Sequence, residues 1–152
     1  MKRCFFIGHR DAPDNIFRAI CGVVEHHITN YGVTDFLVGH YGYFDHMAAK
    51  AVVAAKGKYS DITLTLLLPY YSPTLSFESE LRFDRTLYPD VMDGVPHRAA
   101  IIRANMYAID HSDHLIAYAR YAASNTRKLY EYAQRRAKKG LLHITNLADH
   151  AV

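Results

Sequence analysis

Runs of apolar residues of strand length alternate along this chain with longer segments in which apolar residues recur at helical spacing. The runs cover residues 4–7, 34–38, 62–68, 114–118 and 141–144. The helical spacing predicts helices over residues 15–30, 44–56, 97–110 and 124–139. Strands that alternate with helices are typical of an α/β domain whose sheet is mostly parallel. We therefore predict one domain with about five parallel strands and with helices on both faces of the sheet.

The composition narrows the class of protein. The chain has 152 residues, of which 50% are hydrophobic and 22% are charged, and this balance predicts a single domain with a substantial core. Its purest apolar run, 64–68, is far too short to span a bilayer, so no membrane association is predicted. Two cysteines cannot build a disulfide framework, which predicts reduced thiols and a cytoplasmic location. The net charge of +3 suits a small anionic ligand without requiring nucleic acid.

The stretch between the third and fourth apolar runs, residues 70–95, shows no clear periodicity and contains several prolines in or beside it. Long ordered loops in compact domains are often functional. Residues 76–87 within it are a candidate for a short helix. Tyr70 and Tyr71 have two interpretations, which are stacking on the base of a ligand and packing within an exposed loop.

Three loops follow predicted strands and lead into predicted helices, at residues 8–14, 39–45 and 120–126. In a parallel sheet such loops lie at the carboxyl ends of the strands, where ligands bind. The free N–H groups and the positive dipole end of each following helix favour an anion. The alternative is that each loop is only a tight turn between a strand and a helix. The chain has no G-x-x-x-x-G-K-[ST] loop, which argues against ordinary P-loop ATP hydrolysis.

Several side chains in these loops carry chemistry. Arg10 either clamps a phosphate or carboxylate through two hydrogen bonds or forms a surface ion pair. Asp45 either holds a ribose hydroxyl or polarises a water, or it only caps the N-terminus of its helix. His9 is a candidate for contacting phosphate and for acid–base chemistry near neutral pH. The candidates for close backbone approach and for further hydrogen-bond donation are Gly8, Gly39, Gly42, Ser124, Asn125 and Thr126.

The histidines and their acidic neighbours do not follow a known metal-binding spacing. Two groups were considered: Asp110, His111, Asp113 and His114, which are close in sequence, and His9, His40 and His46, which lie in two loops. Neither group matches an H-E-x-x-H motif or a Cys/His finger. We therefore predict no metal site, and we expect Asp113 to shape the turn before the fourth strand.

Five short motifs, taken in order, resemble those of a known family. They are F-I-G-H-R at 6–10, F-L-V-G-H-Y-G-Y-F-D at 36–45, L-L-L-P-Y at 66–70, R-A-N-M at 103–106 and I-D-H-S-D-H-L-I-A-Y at 109–118. In this order and spacing the chain resembles the YpsA-like branch of the SLOG superfamily, and the resemblance extends from about residue 3 to residue 147. The pattern differs after the fourth predicted strand, where Ser124-Asn125-Thr126 replaces the usual Gly-Gly-Thr.

The resemblance implies a Rossmann-like fold that binds a nucleotide or a nucleotide-derived ligand. The wider superfamily includes the DNA-uptake protein DprA and the LOG phosphoribohydrolases, but the glutamates of the LOG motif are replaced here by Arg127 and Lys128. No catalytic carboxylate is therefore carried over. The residues that the resemblance and the loops together assign to the ligand are Gly8, His9, Arg10, Gly39, His40, Gly42, Asp45, Pro69, Tyr70, Arg103, Ser124, Asn125 and Thr126.

Three functions remain open from the sequence. The first is nucleotide binding for sensing or regulation. The second is a nucleoside or nucleotide N-glycosidase, in which Asp45 or His9 activates water. The third is a DNA-associated interaction module that uses the basic end of the last helix, where Arg135, Arg136, Lys138 and Lys139 are otherwise a solvated face.

The tyrosines of the same region suggest an oligomer. Tyrosine is enriched at subunit interfaces. The residues considered are Tyr118, Tyr121, Tyr130 and Tyr132, and on this basis we expect a homo-oligomer.

Overall fold

The computed structural model describes residues 2–40, 42–70, 83–122 and 124–150 of the chain. The strands and α-helices, in chain order, are β1 (Lys2–Gly8), α1 (Phe17–Tyr31), β2 (Val33–Val38), α2 (Tyr43–Lys56), β3 (Thr63–Leu67), β4 (Arg85–Leu87), α3 (His97–Asp110), β5 (His114–Tyr118), α4 (Asn125–Lys138) and β6 (His143–Asn146). Short 3-10 helices cover Asp14–Ile16, Asp90–Met92 and Leu147–His150. None of the helices in these ranges is both long enough and apolar enough to cross a bilayer.

The strands form one six-stranded sheet in the order β4-β3-β2-β1-β5-β6, and every pairing in it is parallel. Side chains alternate between the two faces of each strand, so neighbouring residues of β1 belong to different layers. Phe6 packs with residues of α1 and α2, whereas Phe5 packs with residues of α3 and α4. The molecule is therefore a three-layer α/β fold of the Rossmann-like type, as predicted.

The strand β4 is absent from the sequence prediction. The short helix considered over 76–87 is wrong at Arg85–Leu87, which is a strand, and residues 76–82 lie outside the described residues. The edge of β3 supplies the partners for β4, since Leu68 N–H donates to Leu87 O and Asp84 N–H donates to Leu64 O. The exposed Arg85 and Thr86 give this edge strand no apolar signature, so only the tertiary pairing reveals it.

The last strand begins two residues later than predicted. Gly140 adopts a left-handed φ of 74°, and Leu141 N–H donates back to Arg136 O of α4. Leu141 therefore belongs to the turn that caps the C-terminus of α4. Pairing then starts at His143, which lies opposite His114 of β5.

The N-terminal ends of the strands are joined by buried and partly buried polar contacts. Asp35 of β2 is fully buried, and its carboxylate accepts hydrogen bonds from Arg3 Nε at 2.7 Å and from Thr65 Oγ1 at 2.8 Å. Asp113 accepts from the backbone N–H of Arg3 at 3.0 Å, and its own N–H donates to Arg3 O. Asp113 therefore joins the start of β5 to β1, and its role in shaping the turn stays a prediction.

Candidate functional site

The order of the strands reverses between β1 and β5. The chain builds β2, β3 and β4 outward on one side of β1, then crosses to build β5 and β6 on the other side. Gly8 at the end of β1 lies opposite Tyr118 at the end of β5. The loops after these two strands separate at this point, which leaves the crevice where open α/β sheets usually bind ligands.

A cleft of about 240 Å³ occupies this crevice. Five residues that the sequence analysis assigns to the ligand line it together: Gly8, Arg10, Asp45, Asn125 and Thr126. They come from the loop after β1, the first turn of α2 and the first turn of α4. Each of the predicted loops 8–14, 39–45 and 120–126 therefore contributes at least one residue to the lining of this cleft.

At two positions in these loops, neighbouring atoms leave no room for any residue larger than glycine. A Cβ on Gly8 would lie 2.1 Å from Cγ of the buried Phe44, so α2 packs directly against the backbone at the end of β1. Gly42 has a φ of 155°, and a Cβ there would lie 2.6 Å from Cα of Arg10. The N–H of Tyr43 donates to Arg10 O at 2.9 Å, which joins the loops after β1 and β2.

His9 is buried beside the cleft and holds the loop after β5. Its Nε2 accepts hydrogen bonds from the backbone N–H groups of Arg120 at 2.9 Å and of Tyr121 at 3.3 Å. An acceptor nitrogen carries no proton, so the geometry requires the neutral ring with its proton on Nδ1. Burial lowers the pKa of His9, and the charge of Asp11 opposes that shift only in part. These contacts make His9 a positioning residue, and its role toward a ligand stays a prediction.

The first turn of α4 is organised by side chains. Ser124 is the N-cap, and its Oγ accepts from the backbone N–H of Arg127 at 3.0 Å. Thr126 Oγ1 donates to Gly8 O at 3.2 Å, which ties the start of α4 to the end of β1. The α2 helix begins nearby at Tyr43, with Gly42 as its N-cap. Two helices of 14 residues each therefore begin at the cleft with their positive dipole ends.

Arg10 is the cation of this cleft. Its side chain is exposed at the rim, and no ion pair with another described residue engages its guanidinium. A smaller hollow of about 70 Å³ is also lined by Asp45, together with residues that include Gly39, His40 and Gly42. Asp45 is thus common to both spaces, and its Oδ2 would lie 3.0 Å from a Cβ on Gly39.

Part of the cleft wall is absent from the sequence prediction. Asn105 of α3 lines it, together with Ile101, Ile102 and Leu129. The R-A-N-M motif contains both Arg103 and Asn105, and the prediction chose Arg103. The structure places Arg103 exposed on α3 and outside the lining of both spaces. Helical phase explains the difference, because Asn105 follows Ile101 by four residues and shares its face.

Two residues that were predicted to contact the ligand from the loop after β3, Pro69 and Tyr70, lie outside the cleft. Pro69 is buried, and Tyr70 packs against the core layer formed with α3 and α4. Neither lines the cleft. Tyr71 lies outside the described residues.

The N-terminal ends of the strands form the edge of the sheet opposite the cleft. This amino edge carries a cluster of three histidines, His27, His114 and His143. One ring nitrogen from each residue lies within 4.8 Å of those of the other two. His114 and His143 begin the neighbouring strands β5 and β6, and His27 comes from the last part of α1. An open groove of about 820 Å³ between α1, α4 and β6 is lined by His27 and His143. Of these three, only His114 belongs to a group of candidate metal ligands recognised from the sequence.

Burial disfavours the charged form of two of these histidines. It lowers the pKa of His27 to about 4, helped by the neighbouring His114 and His143 and opposed by the hydrogen bond to Val23. It also lowers the pKa of His114, with smaller effects of the same sign from His143 and Lys2 and an opposing effect from Asp113.

The surfaces considered for other partners are largely engaged within the chain. Arg136 lies 3.6 Å from the Asp110 carboxylate and donates to Asp110 O, while the Arg135 guanidinium lies over the Tyr132 ring. Tyr118 and Tyr130 are buried in the core, so they cannot form the expected subunit interface. Tyr121 is 46% exposed and remains available. The oligomer and the DNA-associated function stay predictions.

Comparison of the chain with models of known protein families gives no match, and comparison with curated proteins gives none either. The resemblance to the SLOG superfamily therefore stays a prediction that is based on the motifs.

Proposed function

We propose that the cleft between the ends of β1 and β5 binds a nucleotide or a nucleotide-derived ligand through its phosphate, in a sensing or regulatory role. One observation carries the proposal: Arg10 and the first turns of α2 and α4 meet at a single cleft at the strand-order reversal. A guanidinium and helix N-termini favour negative charge, and Arg10 lies beside the start of α4, whereas the start of α2 carries Asp45.

The lining suits the rest of a nucleotide. Ile101, Ile102 and Leu129 provide an apolar wall against which a base would lie. Asn105 and Asn125 offer amide donors and acceptors, and Asp45 offers a carboxylate that would accept from ribose hydroxyls. The negative charge of Asp45 disfavours phosphate beside it. This orients the ligand with phosphate toward Arg10 and α4 and with ribose toward Asp45.

The size of the site limits the ligand. The cleft measures about 240 Å³ and the adjoining hollow about 70 Å³. Sites for drug-sized ligands measure roughly 300–1,000 Å³. The space is at the lower end of that range, which favours a mononucleotide over a dinucleotide.

The test is a thermal-shift screen of mononucleotides, cyclic nucleotides, NAD and ADP-ribose derivatives. A ligand at about 100 times its dissociation constant adds roughly 2.7 kcal/mol to the free energy of unfolding. We expect Arg10→Ala to weaken binding of the best ligand about 10- to 100-fold, because it removes charge-assisted hydrogen bonds. The matched control is Arg18→Ala, which removes an exposed arginine of α1 and leaves binding unchanged. Equal affinity in the two variants would exclude Arg10 as the anion contact.

The second candidate is an N-glycosidase that uses the same cleft. It is favoured by the position of Asp45, which borders both the cleft and the adjoining hollow. Mass spectrometry of the ligand after incubation distinguishes the two functions. Intact ligand supports sensing, whereas a released base that disappears with Asp45→Asn supports the glycosidase.

A further inference from the structure

We propose that His27, His114 and His143 form a Zn²⁺ site at the edge of the sheet opposite the nucleotide cleft. Zinc in proteins is often bound by three imidazoles with a fourth position left open. The three side chains come from α1, β5 and β6, and the proposal does not depend on the function proposed for the cleft.

Strand geometry places two of the ligands side by side. His114 and His143 are the first residues of neighbouring parallel strands and lie directly opposite each other in the register. His114 shares the alternation of Ile116 and Tyr118, which pack on the layer of α1 and α2. His27 follows Ile20 and Val24 on the buried stripe of α1, so it faces the same layer.

The hydrogen bond of the His27 ring to a backbone carbonyl fixes which of its nitrogens can bind a metal. Its Nδ1 lies 2.8 Å from Val23 O, and because a carbonyl only accepts, this nitrogen carries the proton. The lone pair is therefore on Nε2. Metal-ligating histidines usually donate their second nitrogen in this way, often to a backbone carbonyl, which fixes the tautomer and the orientation of the ring.

Two nitrogens of the cluster are buried without a hydrogen-bond partner in the described part of the chain. They are Nε2 of His27 and Nδ1 of His114. Both residues are more than nine-tenths buried, at 1% and 7% exposure. Buried polar atoms are normally paired, so an unpaired lone pair inside a group of imidazoles requires an explanation. A bound cation satisfies such a lone pair.

The geometry is close to that of a bound ion. One ring nitrogen of each histidine lies within 4.8 Å of those of the other two, and tetrahedral zinc with Zn–N bonds of about 2.0–2.1 Å needs its nitrogens about 3.4 Å apart. His143 is exposed, so rotation of its side chain would bring its nitrogen closer to the other two. The open groove beside it leaves room for a fourth ligand, such as water. Three imidazole nitrogens suit Zn²⁺ better than Mg²⁺ or Ca²⁺, which prefer oxygen.

The test uses untagged protein that has been freed of metal by dialysis against a chelator. Titration with Zn²⁺ is followed by calorimetry, and Co²⁺ is used in parallel because tetrahedral cobalt has intense visible absorption. We expect one Zn²⁺ per chain. His143→Ala removes an exposed ligand and is expected to weaken Zn²⁺ binding at least about 100-fold, more than the loss of an outer-shell partner.

Controls separate the site from adventitious binding and from simple packing. His46→Ala removes an exposed histidine of α2 and leaves Zn²⁺ affinity unchanged. Arg10→Ala also leaves it unchanged, since the cleft lies at the other edge. The metal-free His143→Ala protein retains the wild-type circular dichroism spectrum. His114→Asn is a second ligand variant, which carries the test should the first fail to fold. No binding by the wild type, or equal binding by His143→Ala and His46→Ala, would overturn the proposal.

Discussion

The two edges of the sheet differ in what they offer a ligand. At the carboxyl edge, glycine loops, the first turns of α2 and α4, and Arg10 surround a cleft. At the amino edge, three imidazoles from three distant parts of the chain meet beside a groove. In a parallel sheet with antiparallel helices, helix N-termini collect at one edge and C-termini at the other. The macrodipole therefore favours anions at the first edge and cations at the second.

The edges also differ in how they are held together. The amino edge depends on side-chain contacts, chiefly those of the buried Asp35 with Arg3 and Thr65. The carboxyl edge has side-chain contacts too, but it depends in addition on close backbone approach, since Gly8 packs against Phe44 and Gly42 against Arg10. Substitutions at the two edges should therefore destabilise the fold for different physical reasons.

The largest effect is expected at the amino edge. Arg3→Ala leaves the fully buried carboxylate of Asp35 without its cationic partner, and a broken buried ion pair typically costs 3–5 kcal/mol. Because Arg3 is partly exposed, we expect a loss of about 3 kcal/mol in the free energy of unfolding, measured by urea denaturation. The control is Lys58→Ala, which breaks the exposed pair with Glu25 and is expected to change stability little. Similar losses of stability in both variants would show that burial of the Asp35 carboxylate does not decide the cost of breaking its ion pair.

The next effect is expected at the carboxyl edge. Gly8→Ala places a methyl group within the Phe44 ring, and overpacking of this kind costs about 2 kcal/mol. The same change at Gly22 of α1 meets open space and is expected to stabilise the helix by about 0.5–1 kcal/mol. Thermal denaturation of the two variants measures the loss of stability at Gly8 and the gain at Gly22. A neutral Gly8→Ala would show that α2 moves away at little cost.

A smaller effect is expected from the cap of α4. Ser124→Ala removes the acceptor of the Arg127 N–H and is expected to cost about 1 kcal/mol of stability. Ser124 is not part of the cleft lining, so ligand affinity should change much less than in Arg10→Ala. Thermal midpoints and binding isotherms of the same variant separate the two contributions. A loss of binding as large as that of Arg10→Ala would place Ser124 in the site.

The smallest effect is a pH dependence from His9. Its pKa is lowered in the folded state, because burial disfavours the charged ring more than Asp11 favours it. In the range between the folded and unfolded pKa values the unfolded state binds more protons, so the contribution of His9 to stability is constant above about pH 6.5 and decreases below it. Protonation of Nε2 also breaks the bonds from Arg120 and Tyr121.

The comparison that isolates His9 is with His9→Gln, whose amide oxygen accepts hydrogen bonds without titrating. Other groups around His9 are Tyr118, Tyr121 and Asp11, and they are the same in both proteins. We expect the stability of the wild type to fall more steeply than that of the variant between pH 7 and pH 5 in urea denaturation. Parallel plots of stability against pH for the two proteins would show that folding does not change the protonation of His9 in this range.

Local patterns were enough to predict most of the architecture and part of the cleft. The apolar alternation of β1 and the helical spacing of α1 are properties of neighbouring residues, and the structure has both elements close to their predicted bounds. Gly8, Arg10 and Asn125 were predicted from the rule that loops after parallel strands share one edge. Asn105 was missed because its contribution depends on how α3 is rotated against α4.

The three histidines could not be predicted in the same way. His27, His114 and His143 are far apart in the chain, and nothing local to any one of them indicates the other two. They meet only because β5 pairs with β6 in a register that sets His114 opposite His143, and because α1 packs over that face. The sequence by itself determined the alternation of elements and the chemistry of each loop, since these depend on spacing along the backbone. The tertiary structure alone decided strand order, register and helix rotation, because these follow from long-range packing.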